Sequence, residues 1–309
     1  MSIALPAPRL RTIAVALIGA FLLAALGAMP VEASYPGENG LLVFVSSNES
    51  GDYGIYTSTP TGGDRKRISG AWYASDPSWS PSGNRLVYLT ESGHIWTMRA
   101  DGADKRRVTS TAAFGRVRPT YSPDGQRILY SQFIDGAKGR AVYTIRTDGT
   151  DRRRVGEDLP GGLMHAVYSP SGTRIAFEYW LKGEDDPYAS GIYTMKLDGT
   201  GLRQITGAGQ QDRSPNWSPS GAKLAFVRES PQVEVHVIRA DGSDREQLTS
   251  FGSAANGTDP VWAPDGGRIA FVREEATDDT IWSMRVDGSD KREIIDGPRA
   301  DRNPDWQPT

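Results

Sequence analysis

The sequence predicts an all-β fold, a six-bladed β-propeller of four-stranded antiparallel blades in which a C-terminal strand joins the N-terminal blade. Three observations predict it. An aromatic residue recurs in "DPSWSP", "RPTYSP", "HAVYSP", "SPNWSP", "DPVWAP" and "NPDWQP", placing Trp79, Tyr121, Tyr168, Trp217, Trp262 and Trp306 at separations of 42, 47, 49, 45 and 44 residues. A period in the forties is the length of one four-stranded blade, and too long for a leucine-rich or ankyrin unit. The same order of turns and β-rich runs follows each of the first five aromatics, and the two incomplete units at the ends of the chain complement each other.

The elements of a unit follow in a fixed order. After the aromatic strand comes a Pro-x-Gly turn, as in "SPSGNR" or "APDGGR", where glycine supplies a backbone angle that other residues avoid. A β-rich run such as "RLVYL", "RILYS" or "RIAFV" forms the second strand, and "HIWTMR", "AVYTIR" or "TIWSMR" forms the third. The third ends at an Asp-Gly dipeptide, a strong hairpin signal. The fourth strand is short and polar, as in "KRRVT" and "REQLT", and charge on an outer edge discourages edge-to-edge pairing. Apolar residues fall on both faces of strands two and three, as expected of a sheet packed between two neighbours. The first unit supplies "LLVFVSS", "GIYTSTP" and "TGGDRKRIS" but no aromatic strand, and "NPDWQPT" supplies that strand alone. Pairing them closes the ring and removes two open edges.

Residues 1–33 stand apart. Arg9 and Arg11 precede the apolar run "TIAVALIGAFLLAALGAM", and "VEA" follows, which reads as a signal peptide cleaved after Ala33, with the propeller occupying 34–309. The alternative is a retained membrane anchor, since the run is nearly long enough to span. No cysteine follows it, so a lipobox anchor is excluded, and the chain has no cysteine anywhere. A core of this size stands without disulfides in an oxidising compartment. The chain carries a net charge of −3, and removal of two Arg and one Glu with the leader leaves −4, which does not point to a nucleic-acid partner.

The recurring W/Y-S-P-[DS]-G-x-[RK]-[IL]-[AVL]-[FY] strand pair followed by I-[YW]-x-[MI]-x-x-D-G resembles the propeller repeat of the TolB family, also called a WD40-like repeat, over about residues 35–309. The resemblance implies an exported, non-enzymatic, monomeric binding or scaffold protein of the cell envelope that recognises a protein or polymer partner and needs no cofactor. TolB itself carries an α/β domain ahead of its propeller. Only Ser34 to Gly40 separate the apolar segment from the first strand here, so that domain is expected to be missing.

The chain lacks G-x-S-x-G, H-E-x-x-H, a phosphate-binding glycine loop and any Cys/His metal pair. His94, His165 and His236 occupy three different columns of the repeat and are not expected to converge on a metal. His236 falls in the column of Tyr56, Trp96, Tyr143, Tyr193 and Trp282 and is expected to pack as an aromatic substitute. The Asp of each Asp-Gly turn is expected to shape its hairpin and not to bind calcium.

Two surfaces remain as candidates. On the hairpin face, "RKR" (65–67), "KRR" (105–107) and "RRR" (152–154) form a basic arc fit for a polyanion, or simply a solvated outer edge. On the opposite face, the unequal loops between strands two and three mark the expected binding side. There Tyr179, Trp180 and Tyr188 sit beside Glu184, Asp185 and Asp186; Tyr179 and Trp180 either contact a partner or extend the strand. The opening residues of the aromatic strands, Asp76, Arg118, His165, Ser214, Asp259 and Asn303, are all polar and stand at the channel mouth on that side, with Arg213 and Arg302 beside them. Asp76, Arg118, His165, Trp180, Arg213, Asp259 and Arg302 are the candidate binding residues. Water and mutual hydrogen bonds closing the channel is the competing reading. The alternatives in function are an envelope lyase or glycan hydrolase with a site at the channel mouth, and a stand-alone propeller partner of a separately encoded peptidase.

Overall fold

The structure is a computed structural model that describes residues 36–47, 52–70, 73–113, 115–134, 139–157, 159, 161–180, 190–207, 209–297 and 300–309. The leader at 1–33 and the loop residues Glu184, Asp185, Asp186 and Tyr188 lie outside the described residues. The described strands form six four-stranded antiparallel sheets, each a meander whose members are consecutive in the chain, with one exception. In that sheet, blade one, the strand order begins with the last strand, Asp301–Pro308, which pairs with Asn39–Ser47 at Leu42↔Trp306 and Val43↔Asp305.

The seam is fastened by more than its ladder. Gln307 Oε1 accepts the Leu41 N–H at 2.9 Å, and its Nε2 donates to the Gly83 carbonyl at 2.8 Å in blade two. The Thr309 hydroxyl donates to the Glu38 carbonyl at 2.9 Å. Gly37 passes so close to the last residue that a Cβ would meet the Thr309 carbonyl oxygen at 2.4 Å.

The core is divided between the blade interfaces. One cluster joins Leu129 and Val142 of blade three to Tyr168, Phe177 and Met195 of blade four, and another joins Val43 and Ile55 of blade one to Trp79, Leu86 and Met98 of blade two. The six recurring aromatics are all at most 5 % exposed. Burial of large side chains on both faces of strands two and three explains why their sequences do not alternate. His236 stacks on Phe226 at 5.6 Å and 27°, and burial pushes its imidazole down to about 4, so it is a neutral ring of the core.

Each hairpin explains its motif. The Asp before Gly accepts the N–H two residues on, at 2.9 Å in Ala103 to Asp101 and in Thr150 to Asp148. The Asp that follows the turn stands at positive φ, 49° in Asp104 and 51° in Asp151, and receives the Arg that opens strand two: Arg85 at 2.7 Å and Arg127 at 2.7 Å. Asp tolerates this left-handed conformation better than most residues, which is why the repeat spells D-G-x-D.

The basic arc needs correction. Arg65 does not lie on the hairpin face. It runs along blade one over the Phe44 and Tyr56 rings, 5.3 and 5.0 Å from their centroids, and reaches Ser46 and the buried carboxylate of Asp301. Arg152 likewise lies 3.8 Å over the Tyr143 ring and donates to the Tyr130 hydroxyl at 2.8 Å. Cation–π attraction and the snorkelling of a long alkyl stem along an apolar sheet draw Arg65 inward, whereas Arg152 lays its guanidinium on the ring and stays exposed. The arc on the surface is interrupted at Arg65.

Candidate functional site

The inner strands of blades two to six, Ala74–Trp79, Val117–Tyr121, Gly162–Tyr168, Asp212–Trp217 and Asn256–Trp262, share one irregularity with the closing strand. In each, the pairing register shifts where the chain enters, for example between Ser75 and Ser78 or between Arg213 and Asn216. At every shift one residue is held in the left-handed region: Asp76 (φ 48°), Arg118 (47°), His165 (49°), Ser214 (55°), Asp259 (47°) and Asn303 (50°). These are the six mouth residues of the sequence alignment. A non-glycine residue in this region costs about 1–3 kcal/mol, and such residues persist only where the surroundings impose them. A residue before proline normally prefers an extended backbone. In five of the six a proline follows, so the repeat imposes a bulge that the sequence does not announce. Asp, Asn and His, four of the six, are the non-glycine types that enter this region most readily.

The bulges bring a subset of these side chains together. Arg118 of blade three reaches Asp259 of blade six, on the opposite side of the six-membered ring, and forms an ion pair with it. Asn303 Nδ2 donates to the other Asp259 oxygen at 3.2 Å. Asp76 lies next to Arg118; burial raises its carboxyl, while Arg118 and His165 act in the opposite sense. The Nδ1 of His165 is 2.9 Å from Oε2 of Glu178, a residue only 4 % exposed, and burial lowers the imidazole so that it stands neutral. A neutral ring beside a carboxylate donates through Nδ1–H, which leaves Nε2 as an acceptor.

Other candidates are placed apart from this cluster. Arg213 is tied to Glu229 of its own blade at 2.5 Å, and Arg302 of the closing strand is tied across the blade interface to Asp279 of blade six at 2.5 Å, so both are held at the rim. Ser214 is fully buried. Trp180 and Tyr179 extend strand two of blade four, Arg174–Trp180, pairing with Gly162 and Leu163. Tyr179 is 2 % exposed and packs edge-on against Tyr193 at 5.2 Å, so it belongs to the core, and Trp180 alone is half-buried at the rim.

Below the Arg118–Asp259 pair lies a cavity of ≈ 80 Å³ lined by Asp76, Arg118, Asp259, Asn303, Asn216 and Asp305 among others. It is room for several waters. Glu178 and Asp305 were not singled out in the sequence. Glu178 stands where the other blades have Val45, Leu89, Ser131, Val227 and Val272, so one acid in an otherwise apolar or small column was the available signal. Asp305 reaches from the closing strand to accept the Trp79 N–H at 2.8 Å, as Asn216 accepts the Trp262 N–H at 3.0 Å.

Burial pushes Asp305 up to about 6 from 3.8. With the folded value above the unfolded one, the folded chain binds more protons between about pH 4 and 6. The stabilisation is therefore full below that window and is lost as pH rises through about 6. Asn in its place keeps the acceptor for Trp79 without the buried charge. Asp305→Asn is expected to raise stability at pH 7.5 by about 1–2 kcal/mol and to flatten the decline between pH 4 and 7, measured by urea unfolding across pH.

A profile of the TolB beta propeller domain matches residues 95–309, well over half of the chain. The chain belongs to the TolB beta propeller family. A TolB homolog from Chlorobium luteolum is 28% identical over 157 residues, 49% of this chain and 34% of its own length. An uncharacterized peptidase, YuxL, of Bacillus subtilis is 29% identical over 105 residues, 31% of this chain and 16% of its own length. The matched segments thus span well under two thirds of both curated relatives. The crystal structure of TolB from Acinetobacter baumannii superposes with a TM-score of 0.75 at 18% identity, covering 90% of this chain and 69% of that one. At that identity the likeness to TolB is one of fold. The inner-strand bulges and the mouth cluster are read from this TolB-family chain's own residues.

Proposed function

We propose that the chain is an exported, non-enzymatic binding protein of the cell envelope that takes a protein or polymer partner at the long-loop end of its channel. The observation that carries this reading is the ring of six left-handed residues at the mouth. Strain held at equivalent places around a ring fixes where polar side chains point before any partner arrives, and such preorganisation reduces the cost of binding. Arg118, Asp259, Asn303 and Asp76 present donors and acceptors of both signs, which suits a peptide or another polar group better than a bare ion. Among the described residues no group of three or more His, Cys, Asp or Glu is placed to hold a metal. Membership of the TolB family supports a binding or scaffold role at the coarse level.

The test is capture from an envelope fraction by the purified protein and by its Arg118→Ala, His165→Ala, Asp259→Ala and Trp180→Ala variants, with melting temperature as control. Loss of the captured partner in folded variants supports the mouth; unchanged capture moves the site to another face.

A second reading, an envelope lyase or glycan hydrolase, draws on the His165–Glu178 pair, since a neutral imidazole with a free Nε2 is the form a general base takes. It requires that a His165→Gln variant lose turnover of an acidic glycan while keeping its fold. The peptidase-partner reading draws only on the partial match to YuxL.

A further inference from the structure

A groove of ≈ 670 Å³ crosses the long-loop end of blade two and runs into the channel mouth at Ser75 and Asn303. Its walls hold Val45, Leu89 and Ala113, its rim holds Tyr53 and Tyr73, and its charged lining is Arg116, Arg302 and Glu91. Arg302 is neutralised by Asp279. Arg116 has no carboxylate partner among the described residues, although it is only 7 % exposed. Its guanidinium donates instead to neutral oxygens, the Gly93 carbonyl at 2.7 Å, the Thr111 carbonyl at 2.9 Å, the Thr109 hydroxyl at 3.2 Å and Gln132 Oε1 at 3.1 Å. Arg152, on the far side of Gln132, adds a second positive charge nearby. A buried cation without an anion is costly and is normally paired.

Tyr73 is an independent sign at the same groove. It is 46 % exposed, lies 5.9 Å from Tyr53, and stands at φ 54°. The equivalent places in blades three and five are Gly115 at φ 73° and Gln211 at φ 54°, so the conformation belongs to the repeat, and only glycine meets it without strain. A bulky aromatic there is an outlier, and a strained exposed aromatic contributes nothing to the core.

We propose that this groove receives an extended segment of a partner protein bearing a carboxylate, which pairs with Arg116 while an adjoining side chain packs on Tyr73. The inference rests on the reading of the long-loop face as the partner side and names the chemistry recognised there. Charge complementarity argues for an acid: with Arg302 paired to Asp279, the buried charge left without a counter-ion in the lining is the Arg116 guanidinium, whose planar donors match a carboxylate. The aliphatic walls argue for a peptide over an acidic glycan, because Val45 and Leu89 offer nothing to sugar hydroxyls.

The probe is a fluorescein-labelled peptide, Gly-Glu-Leu-Glu-Leu-Glu-Gly, titrated by anisotropy against the full chain, beside its counterpart with Gln for every Glu and an oligoglucuronate. The acidic peptide is expected to bind and the Gln peptide to bind at least about tenfold more weakly. Arg116→Gln should abolish binding, and because that side chain is buried, two exposed positions test the idea without risk to the fold. Glu91→Gln, which removes the opposing charge, should tighten binding by about threefold; Tyr73→Ala should weaken it by about tenfold. Thr147→Ala, on the opposite, hairpin face, should leave the peptide affinity unchanged. Equal binding of the Gln peptide, no change in Glu91→Gln, or tighter binding of the oligoglucuronate overturns the inference. Partner capture that still depends on Arg118 in that case leaves the mouth reading standing.

Discussion

Deletion of residues 303–309 is expected to unfold the protein near room temperature or to lower its melting point by tens of degrees. The deletion strips Leu42 and Val43 of their ladder partners Trp306 and Asp305, and leaves Asn39–Ser47 as an open edge with side chains buried on both faces. Trp306 is 4 % exposed within a cluster that includes Phe44, Val261 and Ile281. Removing a buried aromatic alone costs about 3–5 kcal/mol, against a total stability of about 5–15 kcal/mol for a domain. Trp306→Ala separates the packing loss from the pairing loss and should account for roughly half of the effect. A truncated protein that melts with the full-length one would show that the seam does not close the ring.

The second large effect is expected at Asp212. Its carboxylate is fully buried and receives Nε and Nη2 of Arg228, both at 2.7 Å, between strands one and two of blade five. Desolvation raises the Asp212 carboxyl and Arg228 opposes that rise. Removing one member of such a pair leaves the other charge buried and alone, which costs about 3–5 kcal/mol, whereas replacing both with apolar residues is often close to neutral. Asp212→Ala should therefore lower stability by about 3–5 kcal/mol in urea unfolding at pH 7, and Asp212→Leu with Arg228→Met should recover most of it. A double variant as unstable as the single one would mean that the two side chains do not act as a pair.

The repeat was legible because its signals are local. An aromatic, a Pro-x-Gly turn, a β-rich run and an Asp-Gly hairpin each fix a few backbone angles, and the recurrence of the aromatic six times and of both turns five times made blade number and closure readable from spacing. The mouth column was legible for the same reason, as a polar residue ahead of a buried aromatic. Which of those residues meet was not legible. Arg118 finds Asp259 across 141 residues of sequence, and only the curvature of the closed ring brings them face to face. Nor did the pre-proline position betray its left-handed backbone, since proline on its own argues for the opposite. Charge runs misled in one place: "RKR" read as surface, but Arg65 found aromatic faces inside its own blade. Spacing gives no warning of that, because the choice between solvent and a neighbouring ring is made by tertiary packing.

The most direct test of the proposal that the strained mouth is the recognition surface is cross-linking mass spectrometry of the protein with its envelope partner. A photoreactive residue is placed in turn at Ser75, at Trp180 and, on the hairpin face, at Thr147. Cross-links from Ser75 and Trp180, with none from Thr147 and none in an Arg118→Ala background, are the predicted result; cross-links concentrated at Thr147 and indifferent to Arg118→Ala would contradict it.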